Sequence, residues 1–133
     1  MDYMKQLISN ASISRQYGLF LSQFDWSYFM TCRHRYQLSE KIVTKWTDRL
    51  FKASLGISRI YWIIERDKAD PYSRHVHMLL ECPEEITRKQ LKEILNISVG
   101  DFDKIRSKKA VSNYVTKFIS CQNIEYNFVD AKS

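Results

Sequence analysis

The chain has few of the residues that build loops, cross-links or membrane spans. It contains 3 glycines and 2 prolines in 133 residues, so we expect few long flexible loops. The 3 cysteines, Cys32, Cys82 and Cys121, form no CxxC pair and cannot all be paired within the chain, which predicts free thiols in a reducing compartment. We find no apolar run long enough to cross a bilayer and no charged-then-apolar leader, so we expect neither membrane insertion nor secretion.

The overall composition is that of an ordinary globular domain. Hydrophobic residues make up 44% and charged residues 27%, which excludes disordered and collagen-like classes. A chain of 133 residues can bury one core but not comfortably two, so we predict a single domain over residues 1–133. Residues 1–24 are weakly patterned and are expected to form an N-terminal extension that includes a short helix near Met4–Ser9. Residues 25–133, in which the pattern is sharper, are expected to form the core of the domain.

Positive charge is concentrated in two segments of the chain. The net charge is +6, and residues 31–66 carry eight basic and three acidic side chains, or +5. Residues 104–117 carry five basic side chains and no acidic one, which leaves −4 on the other 83 positions. Such segments predict a surface that binds a polyanion, because neutralised phosphates release counterions. The alternative is a solvated basic face that only aids solubility.

Apolar periodicity and capping residues predict eight elements after the extension. They are a strand over Trp26–Cys32, a helix between Ser39 and Gly56, strands over Ile57–Glu65 and Arg74–Cys82, a helix after Thr87, a strand around Phe102–Ile105, a helix after Ser107 and a strand over Asn123–Val129. The order β-α-β-β-α-β-α-β predicts an α+β fold of ferredoxin-like type, with an antiparallel sheet of about five strands and packed helices.

The sequence His75-Val76-His77 is a candidate metal site. In a strand both imidazoles lie on one face, with Cα atoms about 6.6 Å apart at roughly 3.3 Å per residue, so both rings can reach one ion. Glu65 ends the preceding strand, and a hairpin can bring it beside His75. Two histidines and one carboxylate leave coordination positions open, as catalytic sites do, and are compatible with Mn²⁺ or Mg²⁺.

Other residues compete for the role of third ligand. Asp67 is a rival because it lies two residues further into the predicted turn. Glu81 shares the face of His77 but lies about 13 Å along the strand, too far to share one ion. For Glu65 itself, the alternative is an exposed carboxylate at the end of a strand.

A candidate nucleophile lies in the predicted last helix, in the sequence Tyr114-Val115-Thr116-Lys117. Positions three apart are neighbours on a helix surface, so Tyr114 and Lys117 are expected to project together. An ammonium group beside a phenol favours the phenolate as a nucleophile and can also hold a phosphate. With 8 tyrosines in the chain, the alternative is a half-buried tyrosine next to a solvated lysine.

Three motifs together resemble those of a known family. FMT, HVHMLL and NYVTK, in this order, look like the motifs of the HUH endonucleases, specifically the single-tyrosine Rep-type initiators of rolling-circle replication. The resemblance extends over residues 26–121 and includes the predicted order of elements. The chain resembles the nuclease domain alone, since no helicase segment follows it here. It also lacks the second tyrosine of the two-tyrosine relatives.

The resemblance implies a role for each motif. His75 and His77 would be metal ligands, Glu65 the acidic third ligand, Tyr114 the nucleophile and Lys117 its motif partner. Phe29, Met30 and Thr31 match the first motif, whose role is structural or in DNA contact. The implied activity is metal-dependent, sequence-specific nicking and joining of single-stranded DNA through a 5′-phosphotyrosine intermediate, which initiates rolling-circle-type replication of a virus or plasmid.

The resemblance also implies partners and DNA-binding residues. The residues expected to follow the DNA backbone are Arg33, Arg35, Arg59, Lys108 and Lys109. Those expected to stack on bases, if exposed, are Trp26, Tyr61 and Tyr72. His34 is expected to lie at a strand end or loop near the DNA. The expected partners are single-stranded DNA at a replication origin, the host replication machinery and a second copy of the chain, in the host-cell cytoplasm or, in a eukaryotic host, the nucleus.

Three other functions compatible with this pattern stay open. A single-tyrosine transposase would use related chemistry. A non-catalytic module that binds single-stranded nucleic acid would use the same type of sheet, but it leaves the paired histidines unexplained. A capsid-associated or regulatory interaction protein would use only the basic faces.

Overall fold

A computed structural model describes residues 3–34, 38–67, 73–119 and 124–131. Within these ranges the chain forms four helices and five strands, which confirms the predicted α+β class. In chain order they are α1 (Tyr3–Leu21), β1 (Tyr28–Cys32), α2 (Glu40–Lys52), β2 (Arg59–Arg66), β3 (Arg74–Glu81), α3 (Arg88–Leu95), β4 (Val99–Lys104), α4 (Lys108–Thr116) and β5 (Glu125–Asp130).

The five strands form one antiparallel sheet in the order β4-β1-β3-β2-β5. Strands β2 and β3 form the predicted hairpin, whose register sets Glu65 opposite His75. Strand β1 lies on the other side of β3, where Thr31 is opposite His77. The β1–β4 pairing shifts register between Met30 and Cys32. These registers bring β1, β2 and β3 side by side at the point where the paired histidines occur.

Helices cover both faces of the sheet. Because successive residues of a strand point to opposite faces, Ile64 and Val76 join the larger core cluster together with residues of α2 and α3. Tyr61, Ile63 and Leu79 point to the other face and pack with α1 and α4. Glu65 is next to Ile64 in sequence, and His75 and His77 flank Val76. Their side chains therefore point to the opposite face, which α1 and α4 cover. The sheet therefore separates the larger core from the residues of the candidate metal site.

The predicted caps begin three of the helices. The side chains of Ser39, Thr87 and Ser107 accept hydrogen bonds from the first turns of α2, α3 and α4, and Thr87 forms a complete capping box with Gln90. Helix α2 ends at Lys52, earlier than predicted. Gly56 lies in the turn that follows, with a φ of +86°, a conformation that glycine adopts without strain.

The helix of the N-terminal segment is much longer than the short one predicted near Met4–Ser9. Residues Tyr3–Leu21 form one helix of 19 residues, with Leu21 fully buried. Helices α1 and α4 approach closely at Gly18, where an added Cβ would lie 2.6 Å from Oδ1 of Asn113. The ring of Tyr17 packs 6.0 Å from that of Tyr61 on the sheet. The prediction was wrong because the apolar pattern of this segment is weak and tertiary packing supplies the contacts.

None of the helices in the described ranges is long and apolar enough to cross a membrane.

Candidate metal centre and nucleophile

Three side chains converge at the ends of β2 and β3. The Nε2 atoms of His75 and His77 are 3.1 Å apart. Oε1 of Glu65 lies 3.7 Å from Nε2 of His75 and 3.5 Å from Nε2 of His77. The three potential ligand atoms lie within 4.8 Å of one another. The hairpin therefore brings together Glu65, His75 and His77, which we call the candidate metal centre.

The outer nitrogen of each imidazole is held by another residue. Oδ1 of Asp67 lies 2.6 Å from Nδ1 of His75, and Oγ1 of Thr31 lies 3.0 Å from Nδ1 of His77. These contacts turn both Nε2 atoms toward the same point, as the outer partners of metal-bound histidines do. Asp67 was predicted as a rival third ligand, but it lies behind His75, where its other oxygen accepts a hydrogen bond from Arg33.

The donor atoms fit a divalent cation. The Glu65 side chain is 7% exposed, and its Oε2 atom is buried without a hydrogen-bond partner among the described residues. Burial of a carboxylate oxygen without a partner is unfavourable, which suggests that this atom has a ligand to bind. Two imidazole nitrogens and a carboxylate oxygen form an N,N,O set that suits transition metals such as Mn²⁺.

The charges in the centre depend on one another. Burial alone raises the pKa of Glu65, but hydrogen bonds and charge interactions with His75 and His77 outweigh it and lower that pKa to about 2. Conversely, the hydrogen bond to Glu65 raises the pKa of His75; burial opposes this rise and Asp67 adds to it. The buried carboxylate thus stays ionised because positive charge lies beside it.

The candidate nucleophile lies beside this centre, on the same face of the sheet. The ring of Tyr114 is 5.4 Å from that of His77, and Tyr114 is 45% exposed. Phe29 touches both, with its ring 5.3 Å from His77 and 6.0 Å from Tyr114. A side chain of α4 more than thirty residues from β3 in sequence is therefore accessible next to the ring of His77.

Lys117 lies next to Tyr114, as predicted. It was also predicted to lie inside the helix, and it does not. Helix α4 ends at Thr116, and Lys117 is its C-terminal cap. The Nζ atom of Lys117 lies over the Tyr114 ring, 4.1 Å from its centroid. This is a cation–π contact that keeps a positive charge beside the phenol.

The residues predicted to follow a DNA backbone occupy different places. Arg33 is exposed and pairs with Asp67 close to the centre. Lys108 and Lys109 lie exposed on the first turn of α4, and Lys108 pairs with Asp25. Arg35 lies outside the described residues.

Arg59 is remote from the candidate metal centre. It begins β2, roughly 20 Å along the strand from Glu65. Its guanidinium pairs with Glu81 at 2.7 Å and Asp130 at 3.5 Å, and it lies over the ring of Phe24. These partners give Arg59 a structural role, so its predicted DNA contact is not supported.

Two of the residues predicted to stack on bases if exposed are buried, so the condition for stacking is not met. Trp26 is 2% and Tyr61 is 0% exposed, because α1 and α4 cover this face of the sheet. Tyr72 lies outside the described residues. His34 packs its ring against Trp46, 5.8 Å away and on the α2 side of the sheet, so it is not part of the metal centre.

The described cysteines behave as the sequence predicted. Cys32 and Cys82 are free and buried. Burial raises the pKa of the Cys32 thiol to about 12, so it acts as a small apolar residue. Cys121 lies outside the described residues.

Sequence reasoning missed what Thr31, Phe29 and Asp67 do in the centre. Thr31 and Phe29 were linked only to a motif, and Asp67 only to ligation. The register of β1 against β3 sets Thr31 opposite His77, and register is not readable from either strand alone. The useful signal was a short polar side chain inside the otherwise apolar strand sequence YFMTC.

Comparisons with known proteins support the fold and not a function. No protein-family model matches the chain, and no curated protein matches it. Among solved structures, it is similar to the crystal structure of the hypothetical protein ORF119 from Sulfolobus islandicus rod-shaped virus 1, with a TM-score of 0.53 and 15% identity. The match covers 86% of this chain and 96% of that one. At this identity the likeness concerns the fold alone.

Proposed function

We propose that the protein nicks and joins single-stranded DNA as a metal-dependent HUH endonuclease with Tyr114 as nucleophile. The observation that carries the proposal is an accessible tyrosine ring 5.4 Å from the ring of His77, a member of the partly buried N,N,O donor set. A phenol and a cation site side by side are what attack on a phosphodiester requires. The proposed use is to initiate rolling-circle-type replication of a virus or plasmid.

Glu65, His75 and His77 would hold one divalent cation, Mn²⁺ or Mg²⁺. When bound, the ion would polarise the scissile phosphodiester and stabilise charge that develops on its oxygens. Asp67 and Thr31 would keep the two Nε2 atoms facing the ion by holding the outer nitrogens. Arg33, which pairs with Asp67, would extend this support to the surface.

Tyr114 would act by in-line attack. Its phenol loses a proton to solvent and its oxygen forms a bond to phosphorus, while the bond from phosphorus to the 3′ oxygen breaks and that oxygen takes a proton from solvent. The products are a 5′-phosphotyrosine adduct and a free 3′-hydroxyl. Because the adduct remains a phosphodiester, a 3′-hydroxyl can later reverse the step and join strands. The Lys117 ammonium, 4.1 Å from the ring centroid, would offset negative charge there.

The alternatives differ in what the described residues support. A non-catalytic module that reads single strands on an open sheet needs exposed aromatics on its inner strands, whereas Tyr61 of β2 is buried under helices and the exposed Tyr126 lies on the edge strand β5. A single-tyrosine transposase would use the same centre, and it stays the second candidate.

The proposed replication function also has an expected setting. It includes the host replication machinery, a second copy of the chain and a location in the host cytoplasm or nucleus.

An adduct assay tests the proposal directly. The protein is incubated with labelled single-stranded oligonucleotides and Mn²⁺, and a denaturing gel then detects protein covalently attached to DNA. We expect Tyr114→Phe and His77→Ala to lose the adduct and retain DNA binding. Tyr126→Phe is the control, because Tyr126 is 40% exposed on β5 and packs against Tyr17. Binding without an adduct across many sequences and metals would favour the non-catalytic module.

A further inference from the structure

A groove lies beside Tyr114, between β1, β4 and the first turns of α4. It has a volume of about 470 Å³, which is in the range of clefts that take small organic ligands. Four of its lining residues are apolar and three are charged, one of which is Lys104. The apolar ones are Phe29, Ile105, Ala110 and Val111, and the other two charged ones are Asp103 and Arg106.

The groove adjoins the candidate nucleophile. Phe29 lines it and also contacts the rings of both His77 and Tyr114. Val111 lines it too and precedes Tyr114 by three residues, so the two lie on adjacent turns of α4. A strand whose phosphate reaches Tyr114 therefore has the nucleotide next to that phosphate at the mouth of the groove.

The charges around the groove suit a nucleic-acid strand. Arg106 and Lys109 are exposed and have no ion-pair partner among the described residues. Lys104 and Lys108 form ion pairs with Glu85 and Asp25, but exposed pairs of this kind are weak and can exchange for phosphates. A basic rim around an apolar floor matches single-strand binding, in which the backbone follows the charge and a base packs against an aromatic ring.

One residue of the groove does not fit a site for phosphate alone. Asp103 is directly opposite Phe29 in the β1–β4 register, so both side chains lie on the same face. It is exposed and has no hydrogen-bond or ion-pair partner among the described residues. A carboxylate repels phosphate, but it accepts hydrogen bonds from the amino group of a base, as acidic side chains do from N4 of cytosine.

We infer that this groove binds the base next to the scissile phosphate and that Asp103 selects a base with an exocyclic amino group. The base would pack against Phe29, and its amino group would donate to the Asp103 carboxylate. Thymine, which has no such group, would be disfavoured at this position. The inference rests on the proposed function, because it takes the reacting phosphate to lie at Tyr114.

Sequencing of reaction products tests the inference. The protein is incubated with Mn²⁺ and a pool of randomised single-stranded DNA, and both the attached and the released strands are sequenced. At one position flanking the break, we expect thymine to be disfavoured by at least about fivefold relative to an amino-bearing base. Asp103→Ala should abolish this preference, whereas Asp103→Asn, which keeps an acceptor oxygen, should retain it.

A matched control and a second measurement separate the inference from the proposed function. Asp48→Asn removes a charge on α2, on the other side of the sheet, and should leave the preference unchanged. Adducts whose base preference is the same in Asp103→Ala as in the unmodified protein would overturn the inference alone. If no adduct forms, fluorescence anisotropy of oligo(dC) and oligo(dT) binding without metal decides. If the ratio of the affinity for oligo(dC) to that for oligo(dT) falls to about one in Asp103→Ala, base selection in the groove is supported. If this ratio is the same in Asp103→Ala as in the unmodified protein, the inference is overturned.

Discussion

At the residue scale, the two histidines of the centre differ in how their outer nitrogens are held. His75 is held by a carboxylate and His77 by a hydroxyl. Either contact orients the ring, but a carboxylate also makes the imidazole a more basic ligand. Asp67 and Thr31 are therefore positioning residues, whose effect should appear in metal affinity independently of any DNA reaction.

Asp67→Asn is expected to weaken Mn²⁺ binding by roughly 10-fold, because the amide oxygen can still accept from Nδ1 of His75 but no longer makes the imidazole more basic. Isothermal titration calorimetry of the DNA-free protein measures it. Asp48→Asn, an exposed acid on α2, provides the charge-matched control. Unchanged affinity in Asp67→Asn would mean that the negative charge of Asp67 does not make His75 a better metal ligand.

Thr31→Val removes a hydroxyl while nearly preserving shape, and we expect Mn²⁺ affinity to fall about tenfold. The reason is that Nδ1 of His77 loses its only described partner, so Nε2 is no longer directed inward. Nitrogen NMR of the histidine rings should show a changed tautomer balance at His77. Thr47→Val on α2 is the control, since Thr47 is also buried but its hydroxyl donates a hydrogen bond to the carbonyl oxygen of Thr44 in the same helix.

At the element scale, α1 closes one face of the domain. Leu21 is fully buried in the cluster that includes Tyr61, Leu79 and Val115. Leu19, two residues earlier, is 53% exposed. The helix therefore contributes to stability through one face, and its two leucines allow that contribution to be measured.

Leu21→Ala is expected to lower the free energy of unfolding by about 2–5 kcal/mol, because it leaves a cavity between α1, α4 and the sheet. Leu19→Ala should change it by no more than about 0.5 kcal/mol. Urea denaturation followed by circular dichroism measures both. Similar small effects in the two variants would mean that α1 does not pack in this way.

The capping box of α3 gives a second prediction at this scale. Thr87→Ala should destabilise the protein by about 1 kcal/mol, since the N–H of Gln90 loses its acceptor at the start of the helix. Thr87→Ser keeps the hydroxyl and should be close to the unmodified protein in the same urea titration. Equal losses in both variants would point to packing of the threonine methyl group instead.

At the scale of the whole molecule, the candidate metal centre is a partly buried set of polar groups at one end of a sheet whose middle is apolar. Glu65 and His77 are 7% and 6% exposed at their side chains, and Oε2 of Glu65 has no described hydrogen-bond partner. A cation that binds only the folded chain would satisfy these groups and add its binding energy to stability.

We therefore expect Mn²⁺ to stabilise the protein against unfolding by about 2.7 kcal/mol at a free concentration one hundred times its Kd. His77→Ala should lose this response. His34→Ala should keep it, because His34 packs against Trp46 on the other side of the sheet. Thermal denaturation with and without metal provides the measurement, and the absence of any response to Mn²⁺ or Mg²⁺ would argue against the site.

The sequence by itself determined the features that depend on neighbouring residues. Alternation along β3 predicted that His75 and His77 share one face, helical spacing predicted α4 around Tyr114, and the caps at Ser39, Thr87 and Ser107 predicted where helices begin. Only the tertiary structure decided that α1 is a full helix, that Trp26 and Tyr61 are buried, and that Asp67 and Thr31 stand behind the histidines. The physical reason is that periodicity and capping are local, whereas burial and register depend on elements that are distant along the chain.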